Sequence, residues 1–262
     1  RGRISGCDAR QDLMDVWAAC REAAAPGPLE GELVRIVESQ EKIATNAIVE
    51  SLEEQALLEE LLEASKPTAV PEAAGLHYLL STPFRYPPLK HGSRFGTRYA
   101  PSLFYGSRDL TPALAETAYY RLVFWSGMKT PPPSGKLTTE HTAFGARYSV
   151  GTGLRLQEAP FVAYHERLTD PADYSHTQAL GSSMRTAGIE AFEYASARDP
   201  ENGVNIALFH PDAFSCPQPL WQEPWLCETA NEGVSFYNKA YGTRRYPTEV
   251  FLIEGQLPSP AV

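Results

Sequence analysis

Three stretches of this 262-residue chain concentrate side chains able to act on a charged, ring-bearing substrate. The first, TPFRYPPLKHGSRFGTRY at 82–99, is basic, aromatic and glycine-containing. Its Arg85, Tyr86, Arg94 and Phe95 can grip a pyrophosphate through guanidinium forks and stack a heterocycle on an aromatic face. The second, PSLFYGSRDLTPALAETAYYRL at 101–122, leads from a strand ending near Tyr105 into a helix that carries Glu116. Ala113, Leu114, Ala115 and Ala118 surround that carboxylate with small or apolar side chains. A glutamate there that faces a packed interior needs a partner or a task, although on a solvated face it would be ordinary. The third stretch, GIEAFEYASARDPENGVNIALFHPDAF at 188–214, sets Ser196 and Arg198 after an aromatic strand-like run and Asn205 inside the next strand.

Other chemistries have little support. Cys7, Cys20, Cys216 and Cys227 form no CxxC pair, and the six histidines form neither HExxH nor HxH, so no metal site is expected and the thiols read as reduced. Glu158 and Glu166 suggest a glycosidase pair only if they meet in space, and Ser182 and Ser183 are not in a GxSxG elbow.

The elements that must position these residues follow from patterning. Apolar residues recur at helical intervals over 8–25 and again from Glu30 to Ala64, divided by PGP at 26–28, which predicts a helical hairpin. KPTAVPEAAG at 66–75 reads as a linker. Strand-like runs follow at 76–80, 103–106, 159–165, 204–209 and 249–255. A helix is expected over 112–125 with Thr111 as N-cap and Pro112 in its first position, and a second from Tyr174 to Ala187, stopped by Gly188. WQEPWLCE at 221–228 reads as a core or ligand-covering loop. Strands and helices do not alternate and no Gly-rich phosphate loop follows a strand, so the expected class is α+β rather than a doubly wound sheet.

Charge refines the picture. The formal net charge is −9, with 43% hydrophobic and 11% aromatic residues, which excludes general disorder and argues against direct nucleic-acid binding. Residues 1–66 carry 14 acids and 7 bases, whereas Arg85, Lys90, Arg94, Arg98 and Arg108 form an acid-free basic stretch. No apolar run reaches the ~20 residues of a membrane span, and RGRISGCDAR has no signal-peptide character, so a soluble, cytoplasmic protein is expected.

The order G-S-R-F-G, F-Y-G, A-L-A-E, Y-A-S-A-R and V-N-I-A-L-F, over roughly residues 76–215, resembles the RES domain family, which includes toxins of RES–Xre type toxin–antitoxin systems. The resemblance implies an ADP-ribosyltransferase-like fold with mixed or antiparallel sheets at 76–262, preceded by the helical segment and linker at 1–75. It implies an enzyme that takes NAD⁺ as substrate and breaks the nicotinamide–ribose bond, as a phosphorylase using inorganic phosphate or as a glycohydrolase. The alternatives are a mono-ADP-ribosyltransferase acting on a host protein and a non-catalytic nucleotide-binding regulator. Carried over by motif, the catalytic residues are Arg94, Tyr105, Glu116 and Ser196. Arg85, Tyr86 and Asn205 join Arg94, Tyr105 and Ser196 in NAD⁺ binding. Phe95 stands where many relatives carry Trp, and HGSRF lacks the paired glycines common before the arginine. An Xre-type antitoxin is the implied partner, and the N-terminal hairpin could engage it or build a homo-oligomer.

Overall fold

A computed structural model describes residues 15–39, 49–68 and 70–259. Their helices, in chain order, are α1 (Val16–Cys20), α2 (Leu52–Ser65), α3 (Tyr78–Arg85), α4 (Leu110–Ser126), α5 (His165–Leu168) and α6 (Ser175–Thr186). The strands are β1 (Gly27–Glu38), β2 (Phe104–Ser107), β3 (Lys136–Arg155), β4 (Ala191–Ala195), β5 (Val204–Leu208), β6 (Trp221–Ala230), β7 (Gly233–Asn238) and β8 (Gly242–Pro247). The class is α+β, as expected, with a mixed sheet in the order β1-β2-β5-β4-β3-β6-β7-β8 in which β3 and β4 pair in parallel.

β1 also pairs with β3 from Gly27↔Gly153 to Glu38↔His141, so the first five strands of that order close into a ring. The ring is weakest between β1 and β2, which share the single pair Val34↔Ser107; no ladder pair follows toward Ile36 and Tyr105. Helices cover the sheet on both faces. α4 lays Ala113, Leu114, Ala118, Tyr119 and Leu122 against Ile36, Ala143, Trp225 and Phe236. α3 sets Leu79, Leu80 and Phe84 against Leu29, Leu33, Phe104 and Phe144. α6 packs Leu180 and Met184 near Phe95, Phe192 and Tyr194.

Several sequence expectations change. The helix expected from Glu30 to Ala64 is strand β1 up to Glu38, and helical only over α2. Leu33 and Val37 fit a helical period, but Leu29, Leu33 and Ile36 are buried because both faces of β1 are covered, which mimics helical spacing. Of the helix expected over 8–25, only α1 is helical among the described residues, the chain turning at 21–23, and residues 8–14 and 40–48 lie outside the described residues. The strand expected at 76–80 belongs to α3, which His77 caps by accepting from the Leu79 N–H at 3.3 Å. Residues 159–165 and 249–255 contain short 3-10 turns, Phe161–Tyr164 and Thr248–Phe251, in place of strands. WQEPWLCE lies in β6 rather than a loop. The central helix starts two residues early, with Asp109 rather than Thr111 at the N-cap and no side-chain cap bond.

Candidate active site

A cavity of about 290 Å³ opens where β1 and β2 part, walled by Val34, Arg35 and Ile36 on one side and Tyr105, Gly106 and Ser107 on the other. α4 contributes Glu116, Thr117 and Tyr120, and Tyr174 and Tyr194 supply further aromatic wall. The apolar packing of α4 aims one turn of the helix at this opening, which is how Glu116 arrives there.

Glu116 is held from behind. Ser196 Oγ donates to its Oε1 at 2.7 Å, and Asn205 Nδ2 donates to the same oxygen at 2.8 Å. Both donors converge on one oxygen, which leaves Oε2 for a substrate. Each donor is itself fixed. Ser196 Oγ accepts the Arg198 and Asp199 backbone N–H groups, both at 3.1 Å, in the tight β4–β5 connection. Ser107 Oγ donates to Asn205 Oδ1 at 2.7 Å, which sets the amide so that its nitrogen points at the carboxylate. Ser196, Asn205 and Ser107 are buried, so these hydrogen bonds are stronger than they would be in water.

Arg94 is presented by a turn in which Ser93 N–H donates to Gly96 O at 2.7 Å. The turn does without paired glycines because Gly92 alone takes the left-handed conformation, φ +74°, where a Cβ would meet Gly96 O. Arg94 Nη1 donates to Asp170 O at 2.8 Å, and its guanidinium lies 4.5 Å from the Tyr174 ring centroid. One amino group is thus committed to the 168–174 loop while the side chain lines the cavity. Tyr105 offers its ring to the cavity, but its hydroxyl serves the same turn, accepting from Phe95 N–H at 3.1 Å and bonding Ser93 Oγ at 2.8 Å. Burial pushes that hydroxyl up to about 12. Burial, and then Glu116, raise Tyr194 well above its ordinary value, so both phenols stay protonated at neutral pH.

The structure therefore brings Arg94, Tyr105, Glu116, Ser196 and Asn205 together, with Ser196 behind Glu116 rather than on the cavity wall. It does not bring Arg85 there. Because residues 78–85 are helical, Arg85 points back to the N-terminal helix, donating to Glu63 Oε1 at 2.7 Å and Pro67 O at 2.6 Å. Tyr86 stands outside the cavity, in a neighbouring groove. Arg198 is structural: its guanidinium stacks on Tyr119 and donates to Pro171 O at 2.6 Å and Tyr174 Oη at 3.0 Å.

The residue missed in the sequence is Arg35. It reaches across the open seam to donate to Tyr105 O, lies 4.8 Å from the Phe104 ring centroid, and keeps a buried Nε without a partner. Burial lowers its pKa to about 10, so it is still a cation at neutral pH. Its sequence signal is an arginine inside the apolar run LVRIV, which the helical spacing of that run conceals. Among the described residues no cluster of His, Cys, Asp or Glu could hold a metal ion, and no helix is long and apolar enough to cross a membrane.

Comparison with family models matches residues 69–229 to the RES domain. The chain belongs to the RES domain family. The RES match begins after β1, so Arg35 enters the site from outside the matched region. A search of curated proteins finds no match. Among solved structures, the crystal structure of the M. tuberculosis MbcT–MbcA toxin–antitoxin complex is similar at TM-score 0.48 and 10% identity, covering 80% of this chain and 92% of that one.

Proposed function

We propose that this RES domain consumes NAD⁺ by breaking the bond between nicotinamide and ribose. The observation that carries the reading is a cavity-lining Glu116 whose Oε1 is held by Ser196 and Asn205, in a cavity that Arg35 and Arg94 also line. Nicotinamide leaves neutral, taking the C–N electron pair onto its ring nitrogen, so no general acid is needed. The ribose left behind is oxocarbenium-like, and a fixed carboxylate stabilises its developing positive charge. Glu116 Oε2 is available for that role or for a ribose hydroxyl. Arg35 and Arg94 supply positive charge for the pyrophosphate, or for an attacking inorganic phosphate. Tyr105, Tyr120, Tyr174 and Tyr194 give the planar leaving group an aromatic enclosure.

In this reading the protein is a toxin enzyme whose cognate antitoxin, of the Xre type that the family resemblance implies, silences it by covering the cleft. Incubating purified protein with NAD⁺, with and without inorganic phosphate, tests the reaction. Phosphate-dependent ADP-ribose-1″-phosphate identifies a phosphorylase, free ADP-ribose a glycohydrolase, and ADP-ribose on a protein band a transferase. Nicotinamide release that survives Glu116→Ala unchanged would sink the mechanism.

A further inference from the structure

The cavity around Glu116, at about 290 Å³, sits at the small end of the range for ligand sites, roughly 300–1,000 Å³. A dinucleotide has two base–ribose units joined by a pyrophosphate, and this cavity is sized for one of them. A second groove of about 160 Å³ adjoins it, formed by the end of β1 and one face of α3. One residue lines both: Arg35. The groove has Leu79, 6% exposed, at its base and the rings of Tyr78 and Tyr86, 45% and 40% exposed, at its mouth. Ser39 and Thr142 add polar groups beside them. Tyr86 is placed there by its own backbone, whose carbonyl accepts from Ser102 Oγ at 2.7 Å. Two exposed tyrosines flanking an apolar floor suit a flat heterocycle better than an extended apolar chain.

We infer that the groove between α3 and the end of β1 is the adenosine subsite, with Arg35 at the junction holding the pyrophosphate. Resting on NAD⁺ as the substrate, this arrangement divides the ligand at Arg35: nicotinamide riboside toward Glu116, adenine against Tyr86 and Tyr78. It assigns Tyr86 to the adenine base, and it leaves Arg85 to α2.

The test is binding in a Glu116→Gln background, where turnover does not interfere, using NAD⁺, nicotinamide mononucleotide and AMP as separate probes in calorimetry. Losing an aromatic stack weakens a base contact by about tenfold. Tyr86→Ala should therefore raise the Kd of NAD⁺ and of AMP about tenfold while nicotinamide mononucleotide stays within about twofold. Tyr78→Ala should act in the same direction, and Tyr86→Phe should bind all three as the parent does. Unchanged NAD⁺ and AMP binding in both alanine variants overturns the subsite, as does equal weakening of nicotinamide mononucleotide. If neither the Glu116→Gln protein nor the unsubstituted protein binds any of the three probes, NAD⁺ itself is the wrong substrate and the failure lies with the reaction proposed above.

Discussion

At the scale of single residues, the site depends on a chain of donors ending at one oxygen: Ser107 to Asn205, and Asn205 with Ser196 to Glu116 Oε1. A hydrogen bond to a charged group is worth about 1.5–3 kcal/mol, about tenfold to a hundredfold in rate if it matters only in the transition state. Ser196→Ala and Asn205→Ala should each lower kcat for NAD⁺ cleavage by that much with KM nearly unchanged. Steady-state kinetics checks the split, and a rise in KM alone would mean that these side chains touch substrate directly. Ser107→Ala, one bond further back, should cost less, about fivefold, because Asn205 keeps its own bond to Glu116 and loses only its restraint. The arginines make a sharper comparison. Arg35→Lys should raise KM for NAD⁺ at least about tenfold, since an ammonium cannot replace a fork that spans the seam. Arg85→Ala should leave both constants within about twofold, because its guanidinium serves exposed Glu63 and Pro67 O.

At the scale of elements, α6 is what presses the Arg94 turn into place. Gln178 Nε2 donates to His91 O at 2.9 Å and Ser93 O at 3.0 Å, and Gly181 sits so close that a Cβ there would lie 1.9 Å from Phe95 O. Gly181→Ala must push α6 away from the turn. Overpacking of this kind costs about 1–3 kcal/mol, so a lowered Tm together with a raised KM for NAD⁺ is expected. A variant with the parent's Tm and KM would show that α6 does not set the turn. This geometry explains why the Arg94 segment could be read from motif alone yet not placed: HGSRF carries the arginine, but its contact with α6 lies 85 or more residues away in sequence. β1 shows the opposite failure. Because both its faces are covered, its buried Leu29, Leu33 and Ile36 show no alternation, and only its ladder to β3 distinguishes that pattern from a helical stripe.

At the scale of the whole molecule, the extension β6–β7–β8 and the ring meet around His141, which is 2% exposed and pairs across the ladder with Trp225. Burial first, and Arg121 next, lower its pKa to about 4, against about 6.5 in an unfolded chain. With the folded value below the unfolded one, the unfolded chain binds the proton first on acidification. The stability from neutral His141 is complete above about pH 6.5 and is lost as pH falls toward about 4, by about 3 kcal/mol. Urea unfolding at pH 7, 5.5 and 4.5 should show a shallower loss in His141→Gln than in the parent; parallel pH slopes would refute the assignment.

What the sequence by itself determined is the α+β class and a candidate set, Arg94, Tyr105, Glu116, Ser196 and Asn205, whose order and neighbours are local properties of three short stretches. What only the tertiary structure decided is which groups converge. Ser196 stands behind Glu116, Arg85 turns away to α2, and Arg35 enters from a strand outside the matched region. The physical reason is that a cavity at a parted seam is made by strands distant in the chain. Whether an arginine faces it depends on ladder pairing and helix packing that residue order does not encode locally.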